Sequence, residues 1–328
     1  MSPFPTPKYP TEYFLEFRAV DRFLYRVSDL YQLGEIAGKD LLDRLDNCHL
    51  YLLGKRPRLS VVPGSVTATD AVRFKVEYKS GGVTHRSDAG LPLTLFAPEE
   101  VTFEASTYPH RELVTRDTKG DVVAYTLLAN YAHVMPGLPQ EAQDLEVIYV
   151  GKGVRRSAQD RLENHSTLQR ILAEVNSNAP EAEVFALVYS FKFLKNSLDF
   201  VRIPSEITGD AAAQRQNKAL AYRPPLDDQV SLIEASIISY FHPSEYNSQY
   251  LQFPDRNQRI LKGVYEADFA AIAVQLDNTN IGGLRTFSQR VPPRSRHDIV
   301  IDFRYLEGKS SFFSIKQTAA PGDDDARR

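Results

Sequence analysis

The stretch Leu145-Glu-Val-Ile-Tyr-Val-Gly-Lys-Gly153 decides how the middle of this chain is interpreted. Its apolar, β-branched first part predicts a buried strand, and Gly151 and Gly153 predict a turn directly after it. A helix is predicted next, from about Ser157 to Val175, because apolar residues recur there at helical spacing. The segment therefore has the order strand, glycine turn, helix.

This order also occurs in nucleotide-binding turns, but two such motifs are excluded. A dinucleotide-binding turn needs a third glycine where Arg156 stands, and no Gly-x-x-x-x-Gly-Lys-Ser/Thr phosphate loop occurs in the chain. On this segment alone, a turn without any chemical role stays open as an alternative.

The elements that follow continue an α/β pattern. Val184-Phe-Ala-Leu-Val-Tyr-Ser-Phe191 predicts a strand that is too apolar for an exposed edge. A polar insert is expected from Lys195 to Pro225. A helix is predicted over Asp227 to Phe241, since its apolar residues, such as Leu232 and Ile233, follow helical spacing.

Residues 1–115 are predicted to form a separate α+β domain of unknown role. Residues 13–50 are expected to be mostly helical, with Phe14 among the residues of one apolar face. Val72-Arg-Phe-Lys-Val-Glu-Tyr78 alternates strictly between apolar and polar residues and predicts a strand. Ser80-Gly-Gly82 predicts the hairpin turn that follows.

Composition narrows the class of protein. The chain has 328 residues, 42% of them hydrophobic, and no apolar run of the length that a membrane span needs. Its start lacks the features of a signal peptide. Cys48 is its single cysteine, so neither an intrachain disulfide nor a cysteine-based zinc site is expected. These features predict a cytoplasmic protein.

Charge is informative locally rather than overall. A formal net charge of −3 argues against a protein that coats nucleic acid non-specifically, but a local basic groove suffices to bind nucleic acid at one site. Lys152, Arg155 and Arg156 are the candidate nucleic-acid contacts, because they gather beside the glycine turn. A solvated basic face is the alternative interpretation.

Further candidate residues lie on the two predicted helices. Arg161 and His165 are four positions apart, so they project from one helix face. Glu234 adjoins apolar residues on the later helix, where a carboxylate is costly unless it is paired or metal-bound. Pro243 and Asn247 follow in the turn after that helix.

Taken in order, Tyr149-Val-Gly151, Arg161, His165, Glu234 and Asn247 resemble the motifs of the GIY-YIG nuclease superfamily. Their spacing is most similar to the restriction-endonuclease branch. The resemblance implies an α/β core in which helices flank a small mixed sheet. It also implies a DNA substrate and Mg²⁺ or Mn²⁺ as the cofactor, with Glu234 as the metal ligand, since Mg²⁺ needs only one or two carboxylates beside phosphate and water.

The resemblance further implies roles for the other residues. Arg161 would neutralise charge on the phosphoryl oxygens, and Tyr149 would orient phosphate or water. Water activation would fall to Tyr125 or to His165. Val123-Ala-Tyr125 stands where the family has Gly-Ile-Tyr, and Tyr131 is a rival for the same role.

We therefore expect a GIY-YIG-like nuclease domain over 116–255, a C-terminal extension that packs on it over 256–318, and a disordered tail over 319–328. The expected function is metal-dependent DNA cleavage in restriction or anti-phage defence, and double-strand cleavage would indicate a homodimer. Two alternatives stay open. One is a catalytically inactive nucleic-acid-binding module on the same fold, and the other is a regulatory protein-interaction subunit.

Overall fold

The computed structural model of the chain is a mixed α/β structure, as the sequence predicts. It describes residues 6–32, 39–96, 101–153, 166–200, 203–255 and 257–306. The predicted tail at 319–328 lies outside the described residues. None of the helices described combines the length and the apolar character needed to cross a bilayer.

The strands follow one another in the order β1 Thr11–Arg26, β2 Leu50–Pro57, β3 Ser60–Val61, β4 Thr67–Ala68, β5 Ala71–Ser80, β6 Val83–Pro92, β7 Thr102–Ala105, β8 Glu112–Arg116, β9 Val122–Leu127, β10 Leu145–Lys152, β11 Ala182–Asp199, β12 Ala271–Asp277, β13 Thr286–Phe287 and β14 Arg296–Asp302. The helices are α1 Lys39–Asp46, α2 Leu128–Tyr131, α3 Gln140–Gln143, α4 Ser166–Asn178, α5 Gly209–Ala221, α6 Leu226–Phe241, α7 Lys262–Glu266 and α8 Phe303–Leu306. Short 3₁₀ turns occupy Val27–Gln32, Leu93–Leu95, Ala132–Val134, Arg259–Leu261 and Thr279–Ile281.

A seven-stranded mixed sheet in the order β13-β10-β2-β11-β1-β12-β14 forms the centre of the fold. The strands from β10 to β1 pair antiparallel, whereas β12 runs parallel to β1. Because β1 and β2 are inner strands of this sheet, residues 1–115 do not form a unit apart from β10 and β11. The boundary predicted at residue 115 therefore does not coincide with a division of the sheet.

The helix expected within residues 13–50 is wrong for the first half of that range, which forms the long strand β1. Tyr13, Leu15 and Phe17 are buried at a spacing of two, the period of a strand. Pairing with the distant strand β11 along almost all of β1 outweighs the local pattern. Residues 39–46 are helical, as α1.

Helices cover both faces of the sheet. On one face α6 packs through Leu232 and Ile237 into a core cluster that includes Val147 of β10. On the other face α4 packs through Ile171 against a cluster that includes Leu53 of β2.

The predicted strand at 184–191 and the helix at 227–241 are confirmed, while the predicted polar insert contains the end of β11 and helix α5.

A smaller layer lies between β2 and β10 in the chain. Strands β3 to β6 form one sheet and β7 to β9 another, joined by a core cluster that includes Val72, Phe74 and Val76. The predicted hairpin at Ser80-Gly-Gly82 is confirmed, since β5 and β6 pair up to Ser80 and Val83. The alternation within β5 is the reason, because every second side chain enters this core.

The start and the end of the described chain meet in a buried ionic network. Glu12 of β1 is 3% exposed. Its Oε2 accepts hydrogen bonds from Arg304 Nη2 at 2.9 Å and from Arg215 Nη2 at 3.2 Å. The same carboxyl also accepts from the main-chain N–H groups of Lys8 and Tyr9. The network therefore fastens β1 to α5 and α8.

We expect Glu12→Ala to destabilise the protein by roughly 3–5 kcal/mol, because it leaves two buried guanidinium groups without their shared counter-ion. The measurement is urea unfolding followed by circular dichroism. Glu77→Ala is the matched control, since Glu77 pairs with Arg86 at the surface and should change stability by less than about 1 kcal/mol. Equal losses in the two variants would contradict the argument.

Candidate active site

An open cleft lies at the edge of the large sheet, between α4 and α6. It has a volume of about 470 Å³. Its lining consists of Tyr149, Ser166, Thr167, Arg170, Glu234, Ile238, Tyr246, Asn247, Ser248, Gln249 and Tyr250. Three of the residues that the sequence singles out, Tyr149, Glu234 and Asn247, therefore share one cavity although they come from different elements.

A β-bulge in β10 decides where Tyr149 points. Val147 pairs with Gly54 of β2 and Tyr149 pairs with the next residue, Leu53, so that Ile148 is an extra residue. An extra residue shifts every later side chain to the opposite face. Val147 accordingly packs on the α6 face, whereas Tyr149 packs on the α4 face with Leu53.

Tyr149 has a second tyrosine beside it. Gly151 pairs with Tyr51 of β2, and the ring centroids of Tyr51 and Tyr149 are 6.0 Å apart. A Cβ atom on Gly151 would lie 2.5 Å from the Tyr51 hydroxyl oxygen and 2.8 Å from Tyr149 Cε1. The two rings thus occupy the space that any larger residue at position 151 would need.

Asn247 binds the main chain of β10 rather than pointing freely into the cleft. Its Oδ1 accepts from the Val150 N–H and its Nδ2 donates to the Val150 carbonyl, both at 2.9 Å. Strand β13 pairs with β10 only at Leu145 and Glu146. The side-chain amide of Asn247 therefore makes the two hydrogen bonds with Val150 that a neighbouring strand would make. Asn247 acts as a positioning residue for this part of β10.

Glu234 supplies the acidic group of the cleft. It lies on α6, its side chain is 13% exposed, and its Oε2 is 3.6 Å from Lys152 Nζ. Lys152 Nζ also lies 3.7 Å from Asp227 Oδ1 and donates to Ser231 Oγ. Lys152, the last residue of β10, thus contacts three side chains on one face of α6.

Two tyrosines and an arginine complete the chemical character of the cleft. Burial, and then the Glu245 and Glu174 carboxylates, raise the pKa of Tyr246 to about 12. Burial also raises the pKa of Tyr250, and the charge of Glu234 raises it further. Both phenols are therefore protonated and can donate at neutral pH. The Arg170 guanidinium lies 5.8 Å from the Tyr246 ring centroid.

The donor set of the cleft fits a hard divalent cation held mainly by substrate and water. Within the described ranges no three His, Cys, Asp or Glu side chains come together as a ligand group. Among the described residues that line the cleft, Glu234 is the one with a carboxylate. A single carboxylate beside phosphate oxygens and water is a usual arrangement for Mg²⁺. Glu234 is thus the residue that would hold the ion.

The remaining predicted site residues fall into two groups. Arg155, Arg156, Arg161 and His165 lie outside the described residues. Tyr125 is 63% exposed on β9, where it pairs with Val114 in the three-stranded sheet. Its predicted place beside Tyr149 is corrected, because β9 pairs locally with β8 instead of joining β10.

The rival residue Tyr131 also lies elsewhere. It ends α2 and packs against the core cluster of the smaller layer. Neither of the two tyrosines considered for the first motif therefore lines the cleft.

Sequence reasoning missed Tyr51, Arg170, Tyr246 and Tyr250. The signal for Tyr51 is the apolar run Leu50-Tyr-Leu-Leu53, which has the composition of a buried strand and directly follows the region that is predicted to be helical. Arg170 lies on the helix that was predicted, one turn after Ser166 and Thr167. Tyr246 and Tyr250 flank Asn247 and could have been found as aromatics in the same turn.

Comparison of the chain with protein-family models, with curated proteins and with solved structures finds no match in any of the three.

We expect Asn247→Ala to destabilise the protein by roughly 2–4 kcal/mol, because two main-chain groups of Val150 lose their partner. The stability of Asn247→Asp should lie between that of Asn247→Ala and that of the parent protein. A carboxylate can accept from the Val150 N–H, but it cannot donate to the Val150 carbonyl. Urea unfolding by circular dichroism measures both. Asn217→Ala on the exposed face of α5 is the control and should cost nothing. If Asn247→Ala is as stable as the parent protein, or if only Asn217→Ala loses stability, the role of Asn247 in holding Val150 is refuted.

Proposed function

We propose that the chain is a metal-dependent DNA endonuclease of the GIY-YIG type, with its active site in the cleft between α4 and α6. The observation that carries the proposal is that Tyr149 and Glu234, from a strand and a distant helix, line the same open cavity. Hydrolysis of a phosphodiester needs a cation site, an oriented water and a charge partner for the phosphoryl oxygens. The cleft offers a group for each of these needs.

Glu234 is assigned to the metal ion, which would supply charge neutralisation and assistance to the leaving oxygen. Tyr149 orients phosphate or water through its phenol. Arg170 is a further charge partner for phosphate, beside the role expected of Arg161. His165 keeps its expected role in water activation.

We further propose that Tyr51 is the first-motif tyrosine in place of Tyr125. Tyr51 is 1% exposed and lies outside the cleft lining, so its role is to position Tyr149 rather than to activate water. The resemblance implies two tyrosine-bearing strands, of which the strand with Tyr149-Val-Gly151 is the second. Strand β2 precedes β10 in the chain and pairs with it, and its Tyr51 pairs with Gly151 and contacts Tyr149. His49-Leu-Tyr51 is then the counterpart of Gly-Ile-Tyr.

A second candidate is a nucleic-acid-binding module without catalysis. The contact between Lys152 and Glu234 favours it, because an ammonium group already neutralises the carboxylate that a metal would need. Such a protein would bind DNA in a salt-dependent manner and would not cut it.

The experiment is cleavage of a supercoiled plasmid with Mg²⁺, with Mn²⁺ and with EDTA. We expect cleavage that needs the metal and falls at least about 100-fold in Glu234→Gln, because the ion loses its protein ligand. Tyr149→Phe and Arg170→Ala should be slower than the parent protein, with circular dichroism used to verify folding.

Glu266→Gln is the matched control, since Glu266 is a largely exposed helix residue paired with Lys262. It should cut as the parent protein does. Cleavage that persists in Glu234→Gln would place the activity at another site. Salt-dependent DNA binding without cleavage would favour the second candidate, and absence of both would favour a regulatory subunit.

A further inference from the structure

Lys152 occupies an unusual position for the last residue of a strand. Its ammonium group contacts Asp227, Ser231 and Glu234, which follow one another along one face of α6. Residues at positions i, i+4 and i+7 of a helix line up in this way. The side chain is 29% exposed, so it reaches solvent while its ammonium group contacts Glu234 of the cleft lining.

Ser231 also helps to orient the Lys152 ammonium group. Ser231 Oγ accepts from Lys152 and donates to the Asp227 carbonyl at 2.6 Å. Ser231 thus makes both of these hydrogen bonds within the group formed by Asp227, Ser231, Glu234 and Lys152. They hold the lysine ammonium group beside the Asp227 and Glu234 carboxylates. This arrangement specifies a place for one positive charge next to Glu234.

A divalent cation and a lysine ammonium group compete for such a place. Two like charges at the same carboxylate repel each other, and the repulsion is stronger where water is partly excluded. A metal ion that binds Glu234 must therefore either displace Lys152 or bind weakly. Lysine suits displacement, because its charge sits on a flexible four-carbon stem.

We propose that Lys152 is the resident counter-cation of Glu234, and that a divalent ion binds the cleft tightly only once a substrate phosphate draws the ammonium group away. This inference rests on the proposed function and adds the order of binding to it. Metal and phosphodiester then raise each other's affinity by the same factor, as linkage requires. Free enzyme holds little metal, and the complete site forms on DNA.

The experiment measures Mn²⁺ binding without any cleavage, by electron paramagnetic resonance of the free ion. Lys152→Met removes the charge and keeps a similar shape. We expect this variant to bind Mn²⁺ about tenfold or more tightly than the parent protein in the absence of DNA, because the competing cation is gone. Lys152→Gln, which can still bond Ser231, should give the same change, and circular dichroism verifies that both variants fold.

Lys55→Met is the matched control. Lys55 Nζ lies 3.4 Å from Glu146 Oε2 on the same pair of strands, with nearly the same exposure, but its partner Glu146 does not line the cleft, whereas Glu234 does. Its Mn²⁺ binding should equal that of the parent protein. A DNA dinucleotide with one phosphodiester should strengthen Mn²⁺ binding to the parent protein and have a smaller effect on Lys152→Met.

The outcomes separate this inference from the function on which it rests. Unchanged Mn²⁺ binding in Lys152→Met and Lys152→Gln, or no binding in any variant, would overturn the counter-cation role. If the double variant Lys152→Met with Glu234→Gln keeps the tighter binding, Glu234 is not the ligand, and the metal site of the proposed function fails as well. Tighter binding in Lys152→Met that Glu234→Gln abolishes supports both.

Discussion

Two hydrogen bonds between the Asn247 side chain and the main chain of Val150 hold the two sides of the cleft together. They join the turn after α6 to the edge of β10. The turn itself is fixed, since His242 ends α6 in a left-handed conformation and the Asn247 N–H donates to the Pro243 carbonyl. The helix that carries Glu234 is thereby fastened to the strand that carries Tyr149. Core packing of α6 on β10 and the contacts of Lys152 act together with this connection.

The bulge in β10 is the second constraint, because it sets the face on which Tyr149 lies. In a regular strand Tyr149 and Val147 would share a face, and the phenol would enter the core beneath α6. The extra residue Ile148 turns it towards α4 instead. The same shift pairs Gly151 with Tyr51, where the absence of a side chain leaves room for two rings. One inserted residue therefore assembles the tyrosine pair.

Local patterns predicted the parts of the fold that local interactions determine. The β5–β6 hairpin alternates and has its own turn, and α6 is apolar at helical spacing over most of its length, so both could be predicted from short windows of sequence. Strand β1 could not, since its first half is buried on both faces and it owes its conformation to β11 and β12. Local patterns also led to two residues of the cleft. Tyr149 and Glu234 could be singled out because the strand and the helix that carry them were predicted correctly.

The position of Tyr125 has a topological cause. Tyr125 is the best match to the first motif in the sequence, but its strand β9 pairs with β8. Strand β10 pairs with β2, so the contact between Tyr51 and Tyr149 depends on pairing between segments far apart in the chain. Asn247 was expected in the chemistry, but its hydrogen bonds are to the main chain. Its position in the sequence was informative, although its role is to hold the strand.

The charge of Glu234 links stability to function. A carboxylate that is mostly buried is costly unless a positive charge or hydrogen-bond donors accompany it. A site meant for a metal ion therefore needs a substitute charge whenever the ion is absent. Arginine would bind such a carboxylate with a planar pair of hydrogen bonds that a cation displaces less readily. Lysine contacts the carboxylate with a single charge on a flexible side chain. Under the proposed function, Lys152 would thus stabilise the folded cleft and leave Glu234 accessible to a stronger cation.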